Sequence, residues 1–304
     1  MTENQHPPAL INSSTTLEEG IRTVLNLRIE QLAVLLDKKN WIDGVSAKLV
    51  HKTRVACRRL IVAARLFKRV SSKRLFNKVQ SRAEGVLENL GTLRNWDSYA
   101  NALENHRGIS NPAQKTFFLD GIAWANRQRF EKIAMKFFKA KADKLTSFLL
   151  KAKLKIHQFK NNTTSPSFLE WSRLGIMTNY DDINAEMETL EDSEHAMHSF
   201  RLKLKFLRYG MEIMGDAIQP EKAAKFLKFL KNGQSYLGMI NDLHFQIKTT
   251  SKIKFALEVH KKDFEFFQGE SEFLFLEDCR QRLESTMSLY KAWKLAWKSN
   301  NPME

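Results

Sequence analysis

The chain has 304 residues, 43% of them apolar, and its 49 Lys and Arg against 34 Asp and Glu give a formal net charge of +15 and a pI near 9.7. An excess of that size points to anionic partners and carries no information about fold. Two cysteines, Cys57 and Cys279, exclude a disulfide framework or thiolate metal cluster and fit a reducing cytoplasm; no apolar run of about eighteen residues suggests a membrane span, and the first residues lack the basic start and apolar core of a signal peptide.

Only 12 Gly and 6 Pro interrupt the chain, and between them Leu, Lys, Ala, Glu, Phe and Arg recur at spacings of three and four, which is the pattern of an all-α protein. In chain order, residues 1–16 read as a flexible N-terminus. Helices are then predicted near 17–40, 45–70, 72–90, 92–106, 113–130 and 131–160, the last two able to run together. The polar run 161–167 holds Pro166, which disfavours helix at itself and at the residue before it. It sets the expected division: a first bundle at 17–160, a linker at 161–180 and a second bundle at 181–300. Further helices are predicted near 182–216, 220–237, 239–262 and 272–299. Gly91 and Gly238, each after a Leu, fit helix C-terminal caps. Asp242 then reads as an N-cap or as an orienting partner for His198 or an arginine. Short connections between long amphipathic helices favour antiparallel packing. The expected architecture is two tandem up-and-down four-helix bundles.

Charge is unevenly distributed along these elements. Residues 50–83 hold eleven Lys and Arg and no acid, whereas 181–194 hold seven acids and no Lys or Arg, a block that reads as a solvated face or internal counterweight. The basic segment repeats. His51, Arg54 and Arg58 are matched by His198, Arg201 and Lys205, 147 residues later, and Leu90-Gly91 is matched by Leu237-Gly238 at the same offset. Two matches at one ungapped offset indicate a tandem duplication.

A helix advances about 100° per residue, so His198, Arg201, Lys205 and Arg208 fall within roughly an 80° sector. His51, Arg54 and Arg58 form the same stripe in the first copy, and Arg65 extends it. Cys57, Leu60, Ala64 and Phe67 point to another side, as do Phe200, Leu204, Leu207, Met211 and Met214, so both helices have a core face and a cationic face. Like charges at i+3 and i+4 repel, and a solvated face ordinarily mixes in acids. None lies between Lys52 and Arg82. An external polyanion would supply the missing charge, gripped by guanidinium forks and by Lys point charges. Arg59, Lys78 with its offset partner Lys225, Arg82, Arg94 and His244 complete the candidate set. His51 and His198 are expected to gain charge beside phosphate and tighten binding towards pH 6. In contrast, His106, His157 and His260 read as structural.

The segments His51-x-x-Arg54-x-x-x-Arg58-Arg59-Leu60 with Leu90-Gly91-x-Leu93-Arg94, and His198-x-x-Arg201-x-x-x-Lys205-Phe206-Leu207-Arg208 with Leu237-Gly238-x-x-Asn241-Asp242-Leu243-His244, resemble the CHAD family, the conserved histidine α-helical domain. The resemblance runs from about residue 17 to the C-terminal helix; Asn95 and Phe206 depart from the usual pattern. It implies two four-helix bundles that bind inorganic polyphosphate along a basic groove between them, without catalysis, and an association with polyphosphate granules. The Glu-x-Glu-x-Lys triphosphatase signature often fused to this family is absent, as are a phosphate-cradling glycine loop and a dinucleotide fingerprint. A metal cluster of Asp192, His195 and His198 with Glu191 and Glu194 lacks the second Glu-x-x-His helix a di-metal bundle needs. No metal or cofactor is expected. The rival readings are a nucleic-acid-binding helical protein, for which the basic stripe lacks interleaved aromatics, and an accessory subunit of a phosphate-metabolising enzyme.

Overall fold

The computed structural model describes residues 11–12, 14–41, 44–68, 70, 73–106, 122–157, 166–213, 220–259, 270–297 and 299–300. Most of these residues are helical, and no β-strand occurs among them. The helices are α1 (Leu17–Leu35), α2 (Ala47–Phe67), α3 (Lys73–Asn89), α4 (Gly91–Asn105), α5 (Ala125–His157), α6 (Phe168–Thr189), α7 (Glu194–Ile213), α8 (Pro220–Val259) and α9 (Glu270–Leu295). A 3₁₀ turn at Lys38–Trp41 follows α1.

The described chain forms two compact units, each drawing on both halves of the sequence. One holds α1, α2, α3, α5 from Ile133, α6, α7 and α8 up to Lys231. The other holds α4, the start of α5, α8 from Asn232, and α9.

In the first unit the starts of α1 and α6 are tied together. Thr16 caps α1 in a reciprocal box with Glu19, and Ser167 does the same for α6 with Glu170, so each pair satisfies two backbone N–H groups that the helix leaves open. Thr16 and Ser167 form an isolated antiparallel bridge, and the Phe168 N–H donates to the Thr15 carbonyl at 3.0 Å. This anchor explains why α6 begins at Phe168, inside the stretch the sequence suggested as linker. Phe168 is fully buried, and a methyl on Gly20 would stand 2.1 Å from its ring. Gly20→Ala is therefore expected to destabilise this unit by about 1–3 kcal/mol through overpacking, against a gain of at most about 1 kcal/mol in helix propensity. A denaturation midpoint at or above wild type would contradict that packing.

Two further boundaries differ from expectation. The single helix expected at 182–216 is split, because Ser193 Oγ accepts from the Ala196 N–H at 3.2 Å and starts a new helix. The two helices expected at 220–237 and 239–262 are one, and Gly238 sits inside it; among the described residues the only positive φ belongs to Gly44, so neither Gly91 nor Gly238 is a left-handed cap. The second unit's core gathers Tyr99, Ala100 and Leu103 of α4 with Leu243 of α8 and Phe275 and Cys279 of α9. Trp293 lies against Gly233, where a Cβ would approach within 2.3 Å of the indole.

Candidate functional site

The α2 sequence places Val50, Ala56, Cys57, Leu60, Ala64 and Phe67 in the core, and α7 does the same with Met197, Phe200, Leu204, Leu207 and Met211. The core faces read from the sequence are thus the observed ones; Met214 lies outside the described residues. The two helices pack on each other within the first unit. Their stripes meet along that seam, with His51 and His198 exposed and Arg54, Arg58, Arg59, Arg201 and Arg208 half-buried.

Lys205 lies deepest, at 8% exposure. Burial first, then the positive charges of Arg58, Arg201, Arg54 and Arg208, pull its pKa down to about 5. Among the described residues no carboxylate pairs with Lys205 or with Arg58. The Arg54 Nη1 donates to the Leu87 carbonyl at 2.9 Å, which fixes its guanidinium beside the seam.

The remaining candidates are placed differently. The Arg59 Nε and Nη2 both donate to Glu212 Oε2, at 3.1 and 3.0 Å, and Arg208 Nη1 stands 3.4 Å from Glu212 Oε1. Both guanidinium groups lie over the Tyr209 ring, at 6.0 and 4.5 Å from its centroid. Arg65 is paired with Glu84 at 3.0 Å and is exposed. Lys78 and Arg82 are exposed on α3, Arg82 over Phe148, and Lys225 is exposed on α8. Arg94 and His244 belong to the second unit. There Asp242 accepts from Ser98 Oγ at 3.0 Å and faces Arg94 at 3.9 Å, so of the readings offered for Asp242 the arginine partner is the one observed.

Sequence reasoning passed over two participants, Glu212 and Arg28. Arg28 on α1 is 2% exposed, and burial with the neighbouring Arg59 lowers its pKa to about 10 while Glu212 pulls the other way. One carboxylate thus serves three arginines. Glu212→Gln is expected to lower stability by about 3 kcal/mol, because it leaves buried guanidinium groups facing one another without a counter-charge. Equal urea midpoints for variant and wild type would show that solvent already compensates them. Glu212 was visible as the i+4 neighbour of Arg208, whereas Arg28 meets the others only through tertiary packing.

Among the described residues no group of three or more His, Cys, Asp or Glu side chains is placed to share a metal ion. The acidic block contributes Glu186, which pairs with Lys203. His106 packs edge-on against Phe275 and stands 3.6 Å from Asp278, in keeping with a structural role; the His157 side chain and His260 lie outside the described residues.

A sequence model of the CHAD domain family matches residues 26–250, most of the chain and both basic stripes. The chain belongs to the CHAD family. Its fold is similar to the crystal structure of the CHAD domain from the plant Ricinus communis, with a TM-score of 0.69 at 20% identity over 96% of each chain. It is also similar to PptA from Streptomyces chartreusis, with a TM-score of 0.66 at 12% identity over 92% of this chain and 99% of that one. No curated protein matches the sequence. CHAD membership accounts for the paired His/Arg/Lys helices α2 and α7 and for the all-α architecture, and no described helix is long and apolar enough to cross a membrane.

Proposed function

We propose that this CHAD protein binds inorganic polyphosphate without catalysing its turnover, seating the chain along the seam of α2 and α7. The observation that carries the reading is the convergence of Arg54, Arg58, Arg201 and Arg208 around Lys205, a buried lysine that no acid of the described residues neutralises. A fold that desolvates so much like charge is stabilised when an anion enters, because each phosphate oxygen accepts charge-assisted hydrogen bonds at a site already arranged for it. A linear phosphate chain presents anionic oxygens at close, regular spacing and needs no base-reading groups.

The reading includes a duplicated bundle as the frame. Helix α7 starts 147 residues after α2, and α8 starts 147 residues after α3, the same offset that relates the motifs. One stripe from each copy then faces the ligand, forming the basic groove within the first unit, with His51 and His198 at its entrance and Arg59, Arg65, Lys78, Arg82 and Lys225 as its outer supply of charge. Recruitment to polyphosphate granules follows from the same affinity.

Competition tests the assignment. Long-chain polyphosphate should displace labelled duplex DNA and single-stranded RNA from the protein at physiological salt, at matched phosphate concentration. If either nucleic acid holds its place, the nucleic-acid reading replaces this one.

A further inference from the structure

The seam poses a chemical problem in the absence of ligand. Lys205 is buried at 8% exposure where α7 packs on α2, and the charged groups that act on it are guanidinium groups that cannot lose their protons, since arginine stays charged at any physiological pH. From α2, Arg58 and Arg54 face it; along α7, Arg201 stands one turn before it and Arg208 three residues after it. The α6 acid that reaches α7 is Glu186, and it is held by Lys203, about 200° round the helix from Lys205. On α7 itself, Glu212 is held by Arg59 and Arg208, so among the described residues the buried Lys205 has no carboxylate partner of its own. Lys205 is the one member of the cluster that can relieve the repulsion by shedding a proton to solvent.

We infer that the α2–α7 cluster rests with Lys205 as a neutral amine and that an entering polyanion drives a proton from solvent onto its Nζ, so that ligand binding and protonation are a single event. This rests on the polyphosphate reading above and extends it to the regulation of the site. The lone pair of the amine takes up the proton, and no other bond changes. The phosphate oxygens supply the acid that Lys205 lacks: they bring negative charge beside it and accept hydrogen bonds from the new ammonium. Three consequences follow. The free protein avoids a fifth buried charge, the ammonium appears only when there is an anion to receive it, and affinity declines as pH rises. One proton taken up per site corresponds to a loss of about tenfold in affinity per pH unit. Persistence of that slope at alkaline pH separates Lys205 from His51 and His198, whose ordinary range ends near neutrality.

The test compares wild type with Lys205→Met and Lys205→Arg, using long-chain polyphosphate at pH 8 and calorimetry in buffers of different ionisation enthalpy. Subtracting a variant from wild type cancels protons exchanged by the histidines and by the phosphate chain ends. Wild type should take up about one proton more per site than either variant. Equal uptake in proteins that all bind would overturn the coupling and leave polyphosphate binding intact. A second readout needs no ligand. The Nζ resonance of Lys205, assigned by its absence in Lys205→Arg, should report a neutral amine in free wild type at pH 7 and an ammonium on addition of polyphosphate. An ammonium in the free protein sinks the inference on its own. If wild type fails to bind polyphosphate while the free amine is neutral, the failure belongs to the underlying reading, and the coupling falls with it.

Discussion

Replacing Lys205 with Met is expected to stabilise the ligand-free protein by an amount on the order of a few kcal/mol near neutral pH. An unfolded lysine holds its proton up to the ordinary value of 10.5, whereas burial and the surrounding arginines bring the folded value down to about 5. Between those limits unfolding takes up a proton, so the lysine weakens the fold, and it does so less as pH rises. The deficit of wild type relative to Lys205→Met should be largest at and below about pH 5 and should vanish above about pH 10.5. Urea denaturation at pH 6 and pH 9 reads this directly, with a larger gap between the two proteins at pH 6. Identical midpoints at both values would mean that Lys205 finds compensation in solution. A residue that destabilises its own fold fits a site arranged for a ligand, since stability and binding readiness then pull in opposite directions.

The second large effect concerns the ligand. Neutralising Arg54, Arg58 and Arg201 together, each to Gln, is expected to abolish most polyphosphate affinity at physiological salt. It should also lower the slope of log affinity against log salt by about three, roughly one for each lost phosphate contact, by analogy with counterion release from nucleic acids. The α2 and α7 core faces are untouched by these changes, so circular dichroism should report wild-type helix content. A folded triple variant with an unchanged salt slope would remove the seam as the seat of the chain. The same substitutions on the outer face, at Lys78 and Lys225, should cost little by comparison, since both are exposed and isolated from the Lys205 cluster of charges.

Much of this was legible in the residues. Spacings of three and four marked the chain as helical, and the angular position of His198, Arg201, Lys205 and Arg208 separated a cationic from an apolar face. What the sequence did not disclose has identifiable causes. Lys205 reads as one more surface cation, because its burial depends on α2 packing its own stripe against α7, a long-range contact with no local signature. The start of α6 did have a signature, Ser167-x-x-Glu170, but the polar run and Pro166 before it suggested that the linker continues. Gly238 misled in the opposite direction. A glycine within a helix costs only about 1 kcal/mol, which the packing of a forty-residue helix absorbs, so α8 runs through Gly238, whereas α4 begins at Gly91. The cluster of Arg28, Arg59, Arg208 and Glu212 joins α1, α2 and α7 and therefore had only its Arg208–Glu212 pair on view in the chain order.

The most direct measurement is a crystal structure of the protein with a short polyphosphate bound. The account predicts phosphate oxygens within hydrogen-bond distance of both Arg58 and Lys205, at the meeting of α2 and α7. Phosphate density confined to exposed lysines such as Lys78 and Lys225, with the seam empty, would contradict it.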